Sequence, residues 1–261
     1  MRVGLIADIH GNVPALDAVL AELEAERVDE IVCLGDVPVG PQPCETVERI
    51  RKLECPVVLG NWDSYFLNGF PHLGGELGRR LVEIGAWWAE RLSGKQLDYM
   101  RSFKATVELG DGDARLLAFH GSPRSFEEAI LATTPEEELG QMLDGASAAV
   151  LAGGHTHFQL VRRLGESLIV NPGSVGLPFS RRAAVMRIAP WAEYGIVTIE
   201  DNRLAVDLRR TTFDVEAYVE LLRSSGMPHA EWWANLWTAE PDQTLAATRS
   251  HETEAVQSTM T

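Results

Sequence analysis

Short apolar runs of strand length recur along the chain and alternate with segments of helical period. That alternation restricts the fold more than any other feature. The runs are Val3 to Ala7, Glu30 to Leu34, Pro56 to Leu59, Leu116 to Phe119, Ala148 to Ala152 and Leu168 to Val170. Between the first two, Leu16, Val19, Leu20 and Leu23 fall at helical spacing within Val13 to Arg27. Thr46 to Leu53 reads as a second helix, closed by Cys55-Pro56. The pattern predicts an α/β domain.

Residues 64–104 break the alternation. They hold a Gly/Pro-rich stretch, Phe70-Pro71-His72-Leu73-Gly74-Gly75, and then two helical patterns, and they read as a helical insertion over one edge of the sheet. Residues 196–210 read as two strands around a turn at Asp201-Asn202, and Asp214 to Arg223 as a helix. After Pro241 the chain is polar and free of aromatics. Residues 1–240 are therefore assigned to one domain and 241–261 to a flexible polar tail.

The chemistry sits where the apolar runs end. The first ends in Asp8-Ile9-His10-Gly11-Asn12, the second in Gly35-Asp36 and the third in Gly60-Asn61-Trp62-Asp63. Later runs end in His120-Gly121 and in Gly153-Gly154-His155-Thr156-His157. In α/β sheets the ligand site lies outside the carboxyl ends of the strands, so five such ends converging would assemble a metal site. Gly35, Gly60, Gly121 and Gly154 flank the ligands where the chain must turn sharply.

Seven candidate ligands result: Asp8, His10, Asp36, Asn61, His120, His155 and His157. Their oxygens and four imidazoles form a mixed set that suits Mn, Fe, Co, Ni or Zn better than Mg or Ca. Seven are too many for one ion and suit two divalent transition-metal ions sharing a carboxylate, with Mn²⁺ favoured. Two cations roughly 3.5–4 Å apart are a known arrangement for displacement at phosphorus. Taken singly, Gly-Asp is a turn, His-Thr-His a surface pair and His120 a core histidine. Five pieces in order, each after an apolar run, outweigh those readings.

The charge balance narrows the partners. Against 23 Lys and Arg stand 38 Asp and Glu, a net charge of −15. Such a protein repels duplex nucleic acid at long range, whereas bound cations can invert the local field and admit a small phosphate ester. Cys33, Cys44 and Cys55 are odd in number and lack CxxC spacing, which points to free thiols in a reducing cytoplasm. The apolar stretch from Met1 to Ala7 is too short for a signal-peptide core, and no run is long enough to span a bilayer.

At these motifs the sequence resembles the calcineurin-like metallophosphoesterases, most closely their compact bacterial and archaeal branch. The resemblance runs from Met1 to about Tyr218. It includes Gly40-Pro41-Gln42-Pro43, Trp88-Ala89-Glu90-Arg91-Leu92, Gly121-Ser122-Pro123-Arg124 and Asn171-Pro172-Gly173-Ser174-Val175-Gly176. It implies a four-layer α/β/β/α sandwich of two mixed sheets. It also implies one metal on Asp8, His10, Asp36 and His157 and another on Asp36, Asn61, His120 and His155, with Asp36 bridging. The expected activity is hydrolysis of a phosphodiester of a small nucleotide or phosphorylated metabolite, with Asp36, Asn61 and His120 at the catalytic centre. The alternative is a non-catalytic interaction module on the same fold.

One position departs from the family. Many relatives carry His after the ligand Asn, where Trp62 stands here, and an indole cannot protonate an alkoxide. Trp62 reads either as a stacking surface for substrate or as a hydrophobic wall. Arg124 reads as a phosphate contact or a surface ion pair, and Asn12 as a substrate contact or, better, a helix N-cap before Pro14. His72 reads as an exposed loop residue first and a substitute acid second. Trp232, Trp233 and Trp237 read as core packing on a C-terminal helix, with a homodimer contact as the second reading.

Overall fold

β1 (Arg2–Ile6) leads through a ligand-bearing loop into α1 (Val13–Ala25), and β2 (Glu30–Cys33) into α2 (Pro43–Leu53). Three helices follow, α3 (Asn61–Asn68), α4 (Gly75–Ala89) and α5 (Gly94–Met100). The chain continues as β3 (Val107–Leu109), β4 (Leu116–Ala118), α6 (Glu136–Leu143), β5 (Val150–Ala152), β6 (Gln159–Leu164), β7 (Ser167–Pro172), β8 (Phe179–Arg182) and β9 (Val185–Ile188). It ends with β10 (Ala192–Glu200), β11 (Arg203–Thr211), α7 (Val215–Ser224) and α8 (Ala230–Thr238). The structure, a computed structural model, describes residues 1–71, 73–182, 185–200 and 203–238. His72, the Asp201-Asn202 turn and the 241–261 tail lie outside the described residues.

Two mixed sheets form. One runs β11-β10-β1-β2, with β1 parallel to β2 and antiparallel to β10. The other runs β3-β4-β5-β7-β6, with β4, β5 and β7 parallel and the outer pairs antiparallel. β8 and β9 make a separate ribbon.

Strand alternation sorts the core into layers. Val3, Leu5, Val32 and Val197 of the first sheet pack against Leu116, Ala118, Val150 and Val170 of the second. The opposite face of the first sheet, with Ile6 and Ile196, packs on Leu16, Val19 and Leu23 of α1 and on Val47 and Ile50 of α2. Leu117, Leu151 and Ile169 face outward from the second sheet onto Leu139 and Leu143 of α6. The result is the expected α/β/β/α sandwich. Each fully buried Leu, Ile or Phe here contributes about 1.5–3 kcal/mol. A further cluster joins Ile84 and Trp88 of α4 to Tyr218 and Leu222 of α7 and Trp233 of α8.

The two helices expected after the Gly/Pro-rich stretch are α4 and α5, and a further helix, α3, precedes that stretch and begins at Asn61 itself. One expectation needs correction. Pro56 to Leu59 is no full strand. It makes isolated bridges, Val57 to Cys33 and Val58 to Lys104, between a helix that ends at left-handed Glu54 and the turn at Gly60. Pro56 also lacks the N–H that a ladder would use.

Candidate metal centre

Parallel pairing brings the loops after β1 and β2 side by side, and likewise those after β4 and β5. Asp8 N–H donates to Gly35 O at 3.0 Å and His10 N–H to Asp36 O at 3.1 Å, which fastens the first two loops together. Gly154 N–H donates to His120 O at 2.8 Å and does the same for the other pair. The Asn171-to-Gly176 stretch braces both: Ser174 Oγ donates to Asp8 O at 2.7 Å, and Asn171 Nδ2 to Gly154 O at 2.6 Å. Gly35 has φ +97, and a Cβ on Gly60 would meet Asp36 Oδ1 at 2.2 Å, so both glycines are required by close approach. Asp8, His10, Asp36, His155 and His157 all hold left-handed backbone, with φ between 50 and 66. Such residues cluster where surrounding structure fixes a functional geometry.

All seven predicted ligands come together. His157 Nε2 lies 3.3 Å from Asp8 Oδ1 and 3.1 Å from His10 Nε2. Asp36 Oδ2 stands 3.5 Å from His120 Nε2 and 3.9 Å from His10 Nε2, between the two histidines. Asn61 Oδ1 is 3.0 Å from His120 Nε2 and 3.1 Å from His155 Nδ1. Two groups, Asp8-His10-His157 and Asp8-Asp36-His120, each keep their ligand atoms within 4.8 Å of one another, all buried.

The donor chemistry fits metal ions. His120 Nδ1 lies 2.7 Å from Leu34 O, and His157 Nδ1 lies 2.8 Å from Leu177 O. A carbonyl only accepts, so each Nδ1 is the N–H and each Nε2 is turned toward a carboxylate. This is the orienting arrangement typical of metal-bound histidine. Asp8 Oδ1 is buried and makes no hydrogen bond. Burial alone would raise the proton affinity of Asp8 and Asp36, yet the neighbouring imidazoles hold both carboxyls below their ordinary range. Burial would likewise lower His120, but Asp36 and then Asp8 raise it to about 9. His10 and His155 are pushed down to about 3 and about 4, by burial first and a neighbouring imidazole second. The centre of the site is thus a field that favours positive charge between Asp8, Asp36 and His120.

The other singled-out residues separate. Asn12 is completely buried and serves as the cap of α1, accepting from Ala15 N–H at 3.1 Å and donating to Gly176 O at 3.3 Å. This corrects the substrate-contact reading, because both ends of its amide face protein. Arg124 lines a cleft with Asn61, Trp62 and His155, and its Nε donates to Glu128 at 3.0 Å. Trp62 lines the same cleft and packs edge-on against Tyr65 and Trp88.

Sequence reasoning missed Asp63 as part of the support. Its buried carboxylate accepts from Asp36 N–H at 2.9 Å, Val37 N–H at 3.0 Å and Gly60 N–H at 2.9 Å. Burial and the Asp36 charge raise it to about 7. An acidic residue three positions after Gly60, at the start of a helix, was the available signal.

A mixed oxygen and nitrogen donor set at the strand ends of a two-sheet sandwich defines a metal-binding α/β/β/α protein. Residues 1–193 match the model of the calcineurin-like phosphoesterase superfamily domain, and the chain belongs to that family of metal-dependent phosphoric ester hydrolases. It is 26% identical over 249 residues to an uncharacterized protein of Methanocaldococcus jannaschii, covering 88% of this chain and 94% of that one. Phosphodiesterase YfcE of Escherichia coli is 27% identical over 191 residues, 68% of this chain and 81% of YfcE. A metallophosphoesterase from Sphaerobacter thermophilus has a similar structure, with TM-score 0.67 and 28% identity, covering 88% of this chain and 96% of that one.

Proposed function

We propose that the protein is a two-metal phosphodiesterase acting on a small nucleotide or phosphorylated metabolite. The observation that carries this reading is the pair of histidines, His120 and His157, whose Nδ1 atoms are tied to main-chain carbonyls while each Nε2 faces a different carboxylate. In the proposed assignment Asp8, His10 and His157 hold one ion, and Asn61, His120 and His155 the other. Asp36 is shared, which its position between His10 and His120 supports. Two cations held there would supply a lowered pKa for water and neutralisation of charge on the phosphoryl oxygens. The four imidazoles favour first-row transition ions over Mg²⁺, and we put Mn²⁺ first, with Fe, Co, Ni and Zn as the other fitting ions.

The chain's own residues orient and exclude. Asn61 fixes its amide oxygen toward His120 and His155. Trp62 closes the side where relatives carry His, and supplies no proton to a leaving alkoxide. Arg124 is assigned to the substrate phosphate at the cleft, with Glu128 holding its guanidinium in place. The similarity to a protein named a phosphodiesterase supports diester over monoester. Three free cysteines support a cytoplasmic setting. Among the described residues no helix is long and apolar enough to cross a membrane.

The test is hydrolysis of bis(p-nitrophenyl) phosphate by stripped protein reloaded with Mn²⁺ or Mg²⁺. Chelation is expected to abolish turnover and Mn²⁺ to restore it better than Mg²⁺. Full activity in Mg²⁺ alone, or none with any metal, overturns the reading.

A further inference from the structure

We propose that an apolar cavity beside the metal centre is a subsite for one aromatic or comparably apolar ester group of the substrate, and that α8 sets this preference. The inference rests on the phosphodiesterase reading and deepens it. The cavity has a volume of about 270 Å³, with His10, Asp36, Asn61, His155 and His157 on one side. Its other walls include Trp62, Leu81, Phe179, Trp232, Trp233 and Leu236. Among the described residues, its only ionisable lining groups are those of the metal centre. The rest of the cavity's lining is hydrocarbon and aromatic rings.

The walls are fixed in advance. Phe179 stacks on His157 with centroids 4.5 Å apart and planes 13° from parallel. Trp62 meets Trp88 edge-on at 6.1 Å, and Trp88 meets Trp233 edge-on at 6.3 Å. The Arg80 guanidinium lies 5.4 Å from the Trp232 ring centroid. Trp232 and Leu236 are four residues apart on α8 and share a helix face. A pocket held by such contacts loses little freedom when a ring enters.

Size and charge select the occupant. A cavity of about 150 Å³ is enough for benzene. The 270 Å³ here therefore has room for a ring-sized group next to a phosphate. A wider cleft of about 780 Å³ shares Asn61, Trp62, Leu81 and His155 with it and receives the diester's other arm. Beyond Arg124, the one cation assigned to the substrate phosphate, that cleft is lined by Glu127, Glu128 and Glu138. A chain of further phosphates would meet carboxylates there, so the geometry favours a single phosphodiester over a polyphosphate. The wall on α8 lies beyond residues 1–193, the span that the family model matches.

The experiment uses Mn²⁺-loaded protein and two phosphodiesters of equal charge, diphenyl phosphate and dimethyl phosphate, with binding measured by calorimetry. Diphenyl phosphate is expected to bind about 10- to 100-fold more tightly. Trp232→Ala is expected to narrow that ratio by at least about fivefold, and Leu236→Ala serves if the first variant does not fold. Equal affinities in the wild type overturn the subsite. A Trp232→Ala protein that weakens both ligands equally overturns the role of α8. Turnover of bis(p-nitrophenyl) phosphate on the same preparation separates the two readings. A preserved binding ratio without turnover strikes the phosphodiesterase reading and leaves the subsite standing, whereas turnover with equal affinities does the reverse.

Discussion

At Trp62 the main chain and the side chain do different work. The backbone N–H donates to Asp36 Oδ1 at 2.9 Å, and the indole packs against Tyr65, Phe70 and Trp88. Substitution therefore keeps the contact to Asp36 and changes the wall and the proton supply. General acid catalysis contributes roughly 10²–10⁴-fold where the leaving group is basic. The wild type is expected to show a steep dependence of rate on leaving-group pKa, and Trp62→His a flatter one, in a series of aryl and alkyl diesters at saturating metal. A shallow wild-type slope would mean that another residue supplies the proton. Lost ring contacts should also cost Trp62→His about 1–2 kcal/mol of stability. Asp36→Asn is expected to lower the metal content from two ions per chain and to weaken both sites, as read by elemental analysis. A variant that keeps one site at full affinity removes Asp36 from the bridge. The ligands were legible because each follows an apolar run and a glycine neighbours most of them. Asp63 was not, because a buried acceptor for main-chain N–H groups leaves no mark beyond one acidic letter.

Among the elements, the start of α3 joins two loops that sequence alone would keep apart. Asp63 accepts N–H groups from the Asp36 loop and from Gly60, so the carboxylate fastens the end of β2 to the first turn of α3. Asp63→Ala leaves three buried donors unpaired, each costing about 1–3 kcal/mol. The expected outcome is a loss of about 3–5 kcal/mol in denaturant unfolding and a 10–100-fold weaker metal affinity. Unchanged metal affinity in a folded variant would confine Asp63 to stability. Elements with a clean apolar stripe or run were readable, among them α1, α2, β1 and β4. β6 was not, since Gln159–Leu164 is an edge strand whose alternate side chains face solvent. α3 was hidden because its first residues, Asn61-Trp62-Asp63, read as the end of an apolar run.

For the whole molecule, the two facing sheets could not be read from periodicity. β4 and β5 are buried on both faces, so they appear as plain apolar runs without the alternation that assigns a side. The family resemblance supplied that layer order. Ions that bind the folded chain alone stabilise it by about 2.7 kcal/mol per site at a hundredfold excess over Kd. For a chain of this size, removal of metal is expected to lower the melting temperature by roughly 5–10 °C, recoverable with Mn²⁺ in calorimetry. An unchanged melting temperature would show that no ion is held by the native state.

The left-handed backbone of Asp8, His10, Asp36, His155 and His157 bears on how such a protein could fall silent. Most side chains pay on the order of 1–2 kcal/mol in that conformation, while Asn adopts it readily. Exchanges to bulky or β-branched residues at these positions therefore damage fold and ligation together. Exchange to Asn removes an imidazole or a negative charge and keeps a residue suited to that backbone. Loss of ligation and loss of backbone fit are therefore separable at these positions, and asparagine is the exchange that separates them.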